Sequence, residues 1–416
     1  MNEDDLRRAE MKWAMDAYSG DYSRRGALNL FAQGGLFAGL SGLLASLPQM
    51  SYAQEDEKVR IGYLPITDAT ALLVAHANGY FKDEGLDAED PTLIRGWAPL
   101  IEGFVANRFN LVHFLNPIPI WMRYNNNFPV KVLSWAHTNG SGVVVGAHTD
   151  ITDFKGLGGK QVAVPFWYSM HNIVLQYALR QSGITPVIRD QSAPLADNEC
   201  NLMVMQPPEM PPALAAQSID AYIVAEPFNA MGEVLAGARM LRFTGDIWKN
   251  HPCCVVATHE EAITARPEWV QAVTNAVVRG AIYASQNKAE VAQMISRDGK
   301  GYLPAPAEVV IRAMTHYDTA EYADSGALTH ADWNNGRIDF QPWPYPSADA
   351  LTVSYLRETV VSGDAAFLAD LDPAFVSEDL VDRSFVRKAV ERFPEWLNDP
   401  SVNAGDPFTR EEVLSL

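Results

Sequence analysis

Three side chains able to bind metal or act as nucleophiles, His251, Cys253 and Cys254, fall within four residues. Thiolates and imidazoles suit a zinc-like ion, but three ligands this close cannot wrap one tetrahedral centre alone. Such a site needs His137 or His171 from elsewhere in the chain. No metal and no cofactor is therefore expected, and the thiols read as small buried hydrophobes. Cys200 makes the cysteine count odd. Neighbouring cysteines bridge only with strain, so a disulfide would join Cys200 to one of the pair. A second constellation is aromatic and acidic: Trp97, Trp167, Tyr168 and Glu226. Charge pairing and π-face contact there suit a small planar cation such as guanidine. Equally, Trp167 and Tyr168 suit packing. His76, His113, His148, His259, His316 and His330 show no ligand-like spacing. No Gly-x-Ser-x-Gly, phosphate loop or His-Glu-x-x-His motif occurs, so no independent catalytic motif is present.

The N-terminal region carries an address. Ser23-Arg24-Arg25-Gly26 precedes the apolar stretch Leu30–Leu47, and Ser51-Tyr52-Ala53 closes it. Paired arginines, a Gly- and Ala-rich apolar segment and small residues at its end form a twin-arginine export signal, with cleavage expected after Ala53. A membrane anchor fits less well. Gln33 and four glycines thin the stretch, and Pro48 ends it near the minimum spanning length. The expected location is the periplasm.

The chain has 416 residues, 48% hydrophobic, with a formal net charge of −19. The first 53 residues hold five basic and six acidic groups, so −18 remains beyond them. That acidity excludes nucleic acid and anionic membrane as expected partners, because both need a basic surface. It does not exclude an anionic solute in one pocket.

Strands and helices alternate twice along the remainder. Val59–Leu64 reads as a strand, and Thr67 or Asp68 as the cap of a helix running to Ala77. A strand near Asp90–Ile94, a helix over Pro99–Ala106 and a strand over Asn110–Phe114 follow. The second run has strand Gln161–Val164, helix Ser169–Ser182, a helix around Ala213–Ala216 and strand Asp220–Val224. Cys254–Thr258 reads as a return strand and Arg266–Asn287 as a long helix. Gln206–Pro212 and Gln341–Pro346 read as loops. This is an α/β pattern of two wound lobes, a clamshell that holds ligand between strand ends and helix N-termini. Crossings between lobes are expected near Gly146–Thr152 and Thr258–Thr264. The expected division is 1–53 signal, 54–150 first lobe, 151–260 second lobe, and 261–416 return to the first lobe with a helical extension.

Ile61-Gly62-Tyr63-Leu64-Pro65-Ile66-Thr67-Asp68-Ala69, followed by Ala77-Asn78-Gly79-Tyr80-Phe81, resembles the start of solute-binding proteins of ABC importers. The similarity is to the nitrate and bicarbonate branch of the nitrate/sulfonate/bicarbonate family. His113–Pro119, Pro207–Met210, Ala225-Glu226-Pro227-Phe228-Asn229 and Thr244–Pro252 continue it in family order. The resemblance implies a two-lobed periplasmic-binding-protein fold of type II and no enzyme activity. It also implies partnership with an inner-membrane permease and ATPase. Binders of this branch hold their anion with Trp, Gln, His, Gly and a residue after a His-Pro motif. That last residue is Lys for nitrate, and Glu with calcium nearby for bicarbonate. Trp97 and His171 match the first and third positions. Ser141 stands at the Gln, Ala225 at the Gly and Cys254 at the charge-selecting position. Trp97, Ser141, His171, Ala225, Glu226 and Cys254 are thus the candidate ligand-binding residues.

The loss of Lys has a physical consequence. A buried unpaired anion costs several kcal/mol. Compensation must come from backbone N–H groups, Arg95 or protonated His171; otherwise the solute is a neutral or cationic nitrogen compound such as urea, cyanate or guanidine. A nitrate sensor acting on a partner protein and a pyrimidine-synthase-like enzyme share the fold. The export signal opposes the first, and the absence of the second's cysteine-rich cluster opposes it.

Overall fold

In a computed structural model of the chain, residues 58–399 and 405–416 are described. The segment read as an export signal, Met1 to Ala53, lies outside them. Two six-stranded sheets organise the fold. Continuous apolar runs supply their central strands: β3 (Leu111–Leu115), β5 (Ser141–Val145), β9 (Ala221–Ala225) and β11 (Pro252–His259) are buried along their whole length. Runs without alternation require cover on both faces, which is why helices flank each sheet.

The first sheet has the order β12-β4-β11-β3-β1-β2, with β1 at Ile61–Tyr63, β2 at Thr92–Leu93, β4 at Val130–Asn139 and β12 at Ile338–Asp339. Strand β1 pairs in parallel with β2 and β3, whereas β11 is antiparallel to β3 and β4. The second sheet has the order β10-β5-β9-β6-β8-β7, with β6 at Gln161–Val164, β7 at Thr185–Val187, β8 at Glu199–Val204 and β10 at Arg239–Phe243. Strands β6, β7, β8 and β9 run parallel, β5 is antiparallel to β9, and β10 is antiparallel to β5. This is the mixed α/β, two-lobed architecture read from the alternation.

The crossings come earlier than expected from the order of strands and helices. The chain leaves the first sheet at the end of β4 and enters the second one residue later, through Asn139 (φ +57°) and Gly140 (φ +76°). Two consecutive left-handed residues make that reversal, and at Gly140 a Cβ would also press on Ile338 and the His137 ring. The return lies between β10 and β11, ahead of Thr258–Thr264. Ser141–Val145 therefore belongs to the second lobe and Pro252–His259 to the first.

Helix α1 (Thr70–Ala77) packs against the long helix α5 (Pro267–Gln286) at Gly280, where any Cβ would collide with the Ala71 carbonyl oxygen. Helix α2 spans Trp97–Val105, helix α3 Met170–Gln181 and helix α4 Phe228–Ala236. Ser169 caps α3 by accepting from Asn172 N at 3.0 Å. The cap expected of Thr67 or Asp68 does not form. Thr67–Ala69 is a tight 3-10 turn leading into α1, and neither side chain caps either element. Gln206–Pro212 is likewise not a plain loop: Pro207–Glu209 is a 3-10 turn, and a helix starts at Met210. Among the described residues, no helix is long and apolar enough to cross a membrane.

Candidate functional site

The two lobes meet at a buried polar cluster. From the first lobe come Asp68 on the turn after β1, His137 near the end of β4, and Cys253 and Cys254 on β11. From the second come Ser141 at the start of β5 and His171 in the first turn of α3. All six are at most 2% exposed. His171 Nε2 lies 2.9 Å from Ser141 Oγ and 3.9 Å from Cys253 Sγ, and Ser141 Oγ lies 3.7 Å from the same sulfur. Thr67 N and Oγ1 both donate to the Glu226 carbonyl, at 2.9 and 3.1 Å, tying the Asp68 turn to the end of β9.

Adjacent residues of a regular strand face opposite sides of a sheet. The two thiols nevertheless converge: Cys254 Sγ lies 3.1 Å and Cys253 Sγ 3.9 Å from Asp68 Oδ2. The register explains it. Pro252 pairs with Thr138 and Cys254 with His137, so β11 carries one extra residue, a bulge at Cys253 that breaks the alternation. Asn116 N donates to the Cys253 carbonyl at 2.9 Å from the other side.

The electrostatics follow from burial. His137 Nε2 sits 3.0 Å from Asp68 Oδ2. Burial disfavours charge on both, yet Asp68 outweighs it and lifts His137 to about 10. Burial also lifts the Asp68 carboxyl, against the pull of His137. The proton sits on the imidazole, leaving an ion pair in which each charge offsets part of the other's burial cost. Burial pushes the Cys253 thiol up, but Cys254, His171 and His137 outweigh it and hold Cys253 well below the usual thiol range. His113, behind Cys253, is pressed down to about 3 by burial and then by His137.

Trp97 is 1% exposed and meets His113 edge-on, with ring centres 5.6 Å apart. Its indole N–H has no partner, and neither have Asn116 Nδ2 and His171 Nδ1. Ala225 pairs with Ser141 across β9 and β5. Of the six expected ligand residues, Ser141, His171 and Cys254 share the cluster, Ala225 adjoins Ser141, and Trp97 stands behind His113. Glu226 does not face it. Glu226 Oε1 accepts from Arg337 Nε at 2.7 Å and Oε2 from Ala230 N at 3.0 Å, within a buried network with Glu233. Tyr168 stacks on Trp121 and its hydroxyl points to the Asp364 carbonyl, so it packs the lobes. His251 turns away to Thr244 Oγ1, at 2.7 Å. All three cysteines are free, with Cys200 on β8 in the other sheet. Asp68 was legible only as a helix cap. No local signal marks it, because its partners lie on β4 and β11.

Two wound lobes with polar groups converging between them define a fold of the clamshell class. The chain belongs to the NMT1-like family, whose model matches residues 52–296. The nitrate/nitrite binding protein NrtA of Nostoc sp. is 23% identical over 320 residues, which are 71% of this chain and 69% of that protein. The bicarbonate transport ATP-binding protein CmpC of Synechococcus elongatus is 25% identical over 279 residues; the chain spans 40% of its length. Among solved structures, the periplasmic nitrate-binding protein NrtA of Synechocystis superposes with a TM-score of 0.68. It is 19% identical and covers 87% of this chain and 95% of its own.

Proposed function

We propose that the protein is the solute-binding component of an ABC importer and captures a small polyatomic oxyanion of the nitrate, nitrite or bicarbonate kind between its lobes. The observation that carries this reading is the meeting of Ser141 and His171 from one lobe with the Cys254 strand of the other. Relatives that bear binding-protein names support it. Unpartnered buried N–H groups on Trp97 and Asn116 are the groups an oxyanion would satisfy, and leaving each bare costs about 1–3 kcal/mol. The cationic alternative drew on Glu226, whose carboxylate Arg337 and Ala230 already occupy. An inner-membrane permease and ATPase are the partners this role requires, and the periplasm is its place. The twin-arginine reading adds that export depends on Arg24 and Arg25.

A thermal-shift panel of nitrate, nitrite, bicarbonate, cyanate, taurine, urea and guanidine tests the solute class, since a true ligand raises the melting point by linkage. Stabilisation by an oxyanion is expected. Stabilisation by guanidine or urea alone refutes the reading. His171→Ala should weaken the oxyanion by about 1–3 kcal/mol in calorimetry.

A further inference from the structure

We propose that Asp68, His137, Cys253 and Cys254 bind a single divalent ion of the zinc type on the first-lobe wall of the cleft. One donor atom from each of the four lies within 4.8 Å of every other, and all four side chains are buried. A tetrahedral ion with zinc-like bond lengths places its donors about 3–4 Å apart. Cys254 Sγ, Cys253 Sγ and His137 Nε2 stand 3.1, 3.9 and 3.0 Å from Asp68 Oδ2, so small side-chain shifts suffice.

The arrangement is less well explained as a closed hydrogen-bond cluster. His137 Nε2 approaches Asp68 without the alignment of a hydrogen bond, and Asp68 Oδ1 and His137 Nδ1 have no partner at all. Four donor side chains gathered this closely without a closed set of hydrogen bonds are what a cation satisfies. The bulge at Cys253 is the second independent feature, because without it the sulfurs would face opposite sides of β11. The donor chemistry selects the ion. Two sulfurs, one imidazole and one carboxylate match a tetrahedral zinc site. Calcium, which takes six to eight oxygens, would find one carboxylate. Binding requires thiolate sulfurs and a neutral imidazole, so it would release the Cys254 thiol proton and one proton from His137 to solvent.

All four ligands belong to the first lobe, whereas Ser141 and His171 close over Cys253 from the second. The ion would lie beside the solute-facing groups, yet all its ligands come from one lobe, so its uptake does not need the second lobe and goes beyond the transport role.

The test uses the mature protein, purified untagged with its thiols reduced, and Co(II) alone as probe. One equivalent should produce a thiolate-to-cobalt charge-transfer band and the intense visible bands of a tetrahedral centre. Zn(II) should abolish both and stay bound through dialysis. Cys253→Ser with Cys254→Ser should remove them, Asp68→Asn should weaken cobalt binding by about tenfold or more, and Cys200→Ser should change neither. Circular dichroism verifies that each variant folds, and Asp68→Asn alone decides the matter if the double variant does not. Absence of the bands and of retained zinc in the reduced wild type overturns the site. So does cobalt binding that Asp68→Asn leaves unchanged. A wild type that responds to nitrate but takes up no ion refutes this site only. One that takes up the ion but ignores every solute refutes the transport reading only.

Discussion

Arg337→Met isolates what Glu226 does. Arg337 is 2% exposed. Its guanidinium reaches Glu226 Oε1 at 2.7 Å, Glu233 Oε2 at 2.8 Å, Tyr322 Oη at 3.0 Å and the His316 carbonyl at 3.3 Å. Removing it affects the two glutamates unequally. Glu233 keeps Tyr322 Oη at 2.8 Å and Arg312 at 3.3 Å. Glu226 keeps only the Ala230 N–H. One carboxylate is left buried without a cation, a loss of roughly 3–5 kcal/mol. Unfolding entropy at this chain length turns each kcal/mol into about 1–1.5 °C, so the melting point should fall by about 5 °C. The double variant Glu226→Gln/Arg337→Met should recover a large part of that fall, because the uncompensated charge is gone. Thermal unfolding followed by circular dichroism reads both. A fall below about 1 °C, or a double variant less stable than the single, refutes the reasoning. Glu226→Gln should leave solute affinity unchanged in calorimetry, since that carboxylate faces Arg337 and not the cleft.

Trp97→Ala would confound binding with packing, because the indole is buried against His113. Trp97→Phe keeps most of the bulk and should weaken the oxyanion by about 1–2 kcal/mol through loss of the N–H; equal affinity in calorimetry removes that group from the site. His259 stacks on Phe104 at 4.0 Å, and burial lowers it to about 4. A depressed histidine contributes in full above the ordinary value near 6.5. That contribution fades as pH falls toward 4, about 3 kcal/mol in all. His259→Phe should flatten the acid limb of stability against pH, and an unchanged limb would assign the loss elsewhere. Gly280→Val should cost about 1–3 kcal/mol or more by forcing α5 off α1, and an unchanged melting point would show that the helices do not need that close approach. Replacing Arg24 and Arg25 with Lys should hold uncleaved precursor in the cytoplasm, and mature protein still reaching the periplasm would refute the twin-arginine reading.

Sequence by itself determined whatever depends on neighbours along the chain. Alternating strand and helix patterns, the helix over Ser169–Ser182 and the strand Gln161–Val164 were all legible, because periodicity is a property of a few consecutive residues. So was the two-lobed class, which follows from that alternation. The lobe boundaries were not. Asn139 and Gly140 look like an ordinary turn until β5 is seen to pair with β9 and β10 rather than with β4. The site divides in the same way. His171 and Cys254 carry enough family pattern to be picked out, whereas Asp68 reads locally as a helix cap and Glu226 as a candidate ligand. Tertiary structure alone decided those roles. Arg337, far along the chain, takes Glu226, and the bulged register of β11 against β4 turns two neighbouring thiols toward Asp68 and His137. Charges and sulfurs acquire their function from what is packed against them, and partners tens to hundreds of residues distant leave no periodic trace.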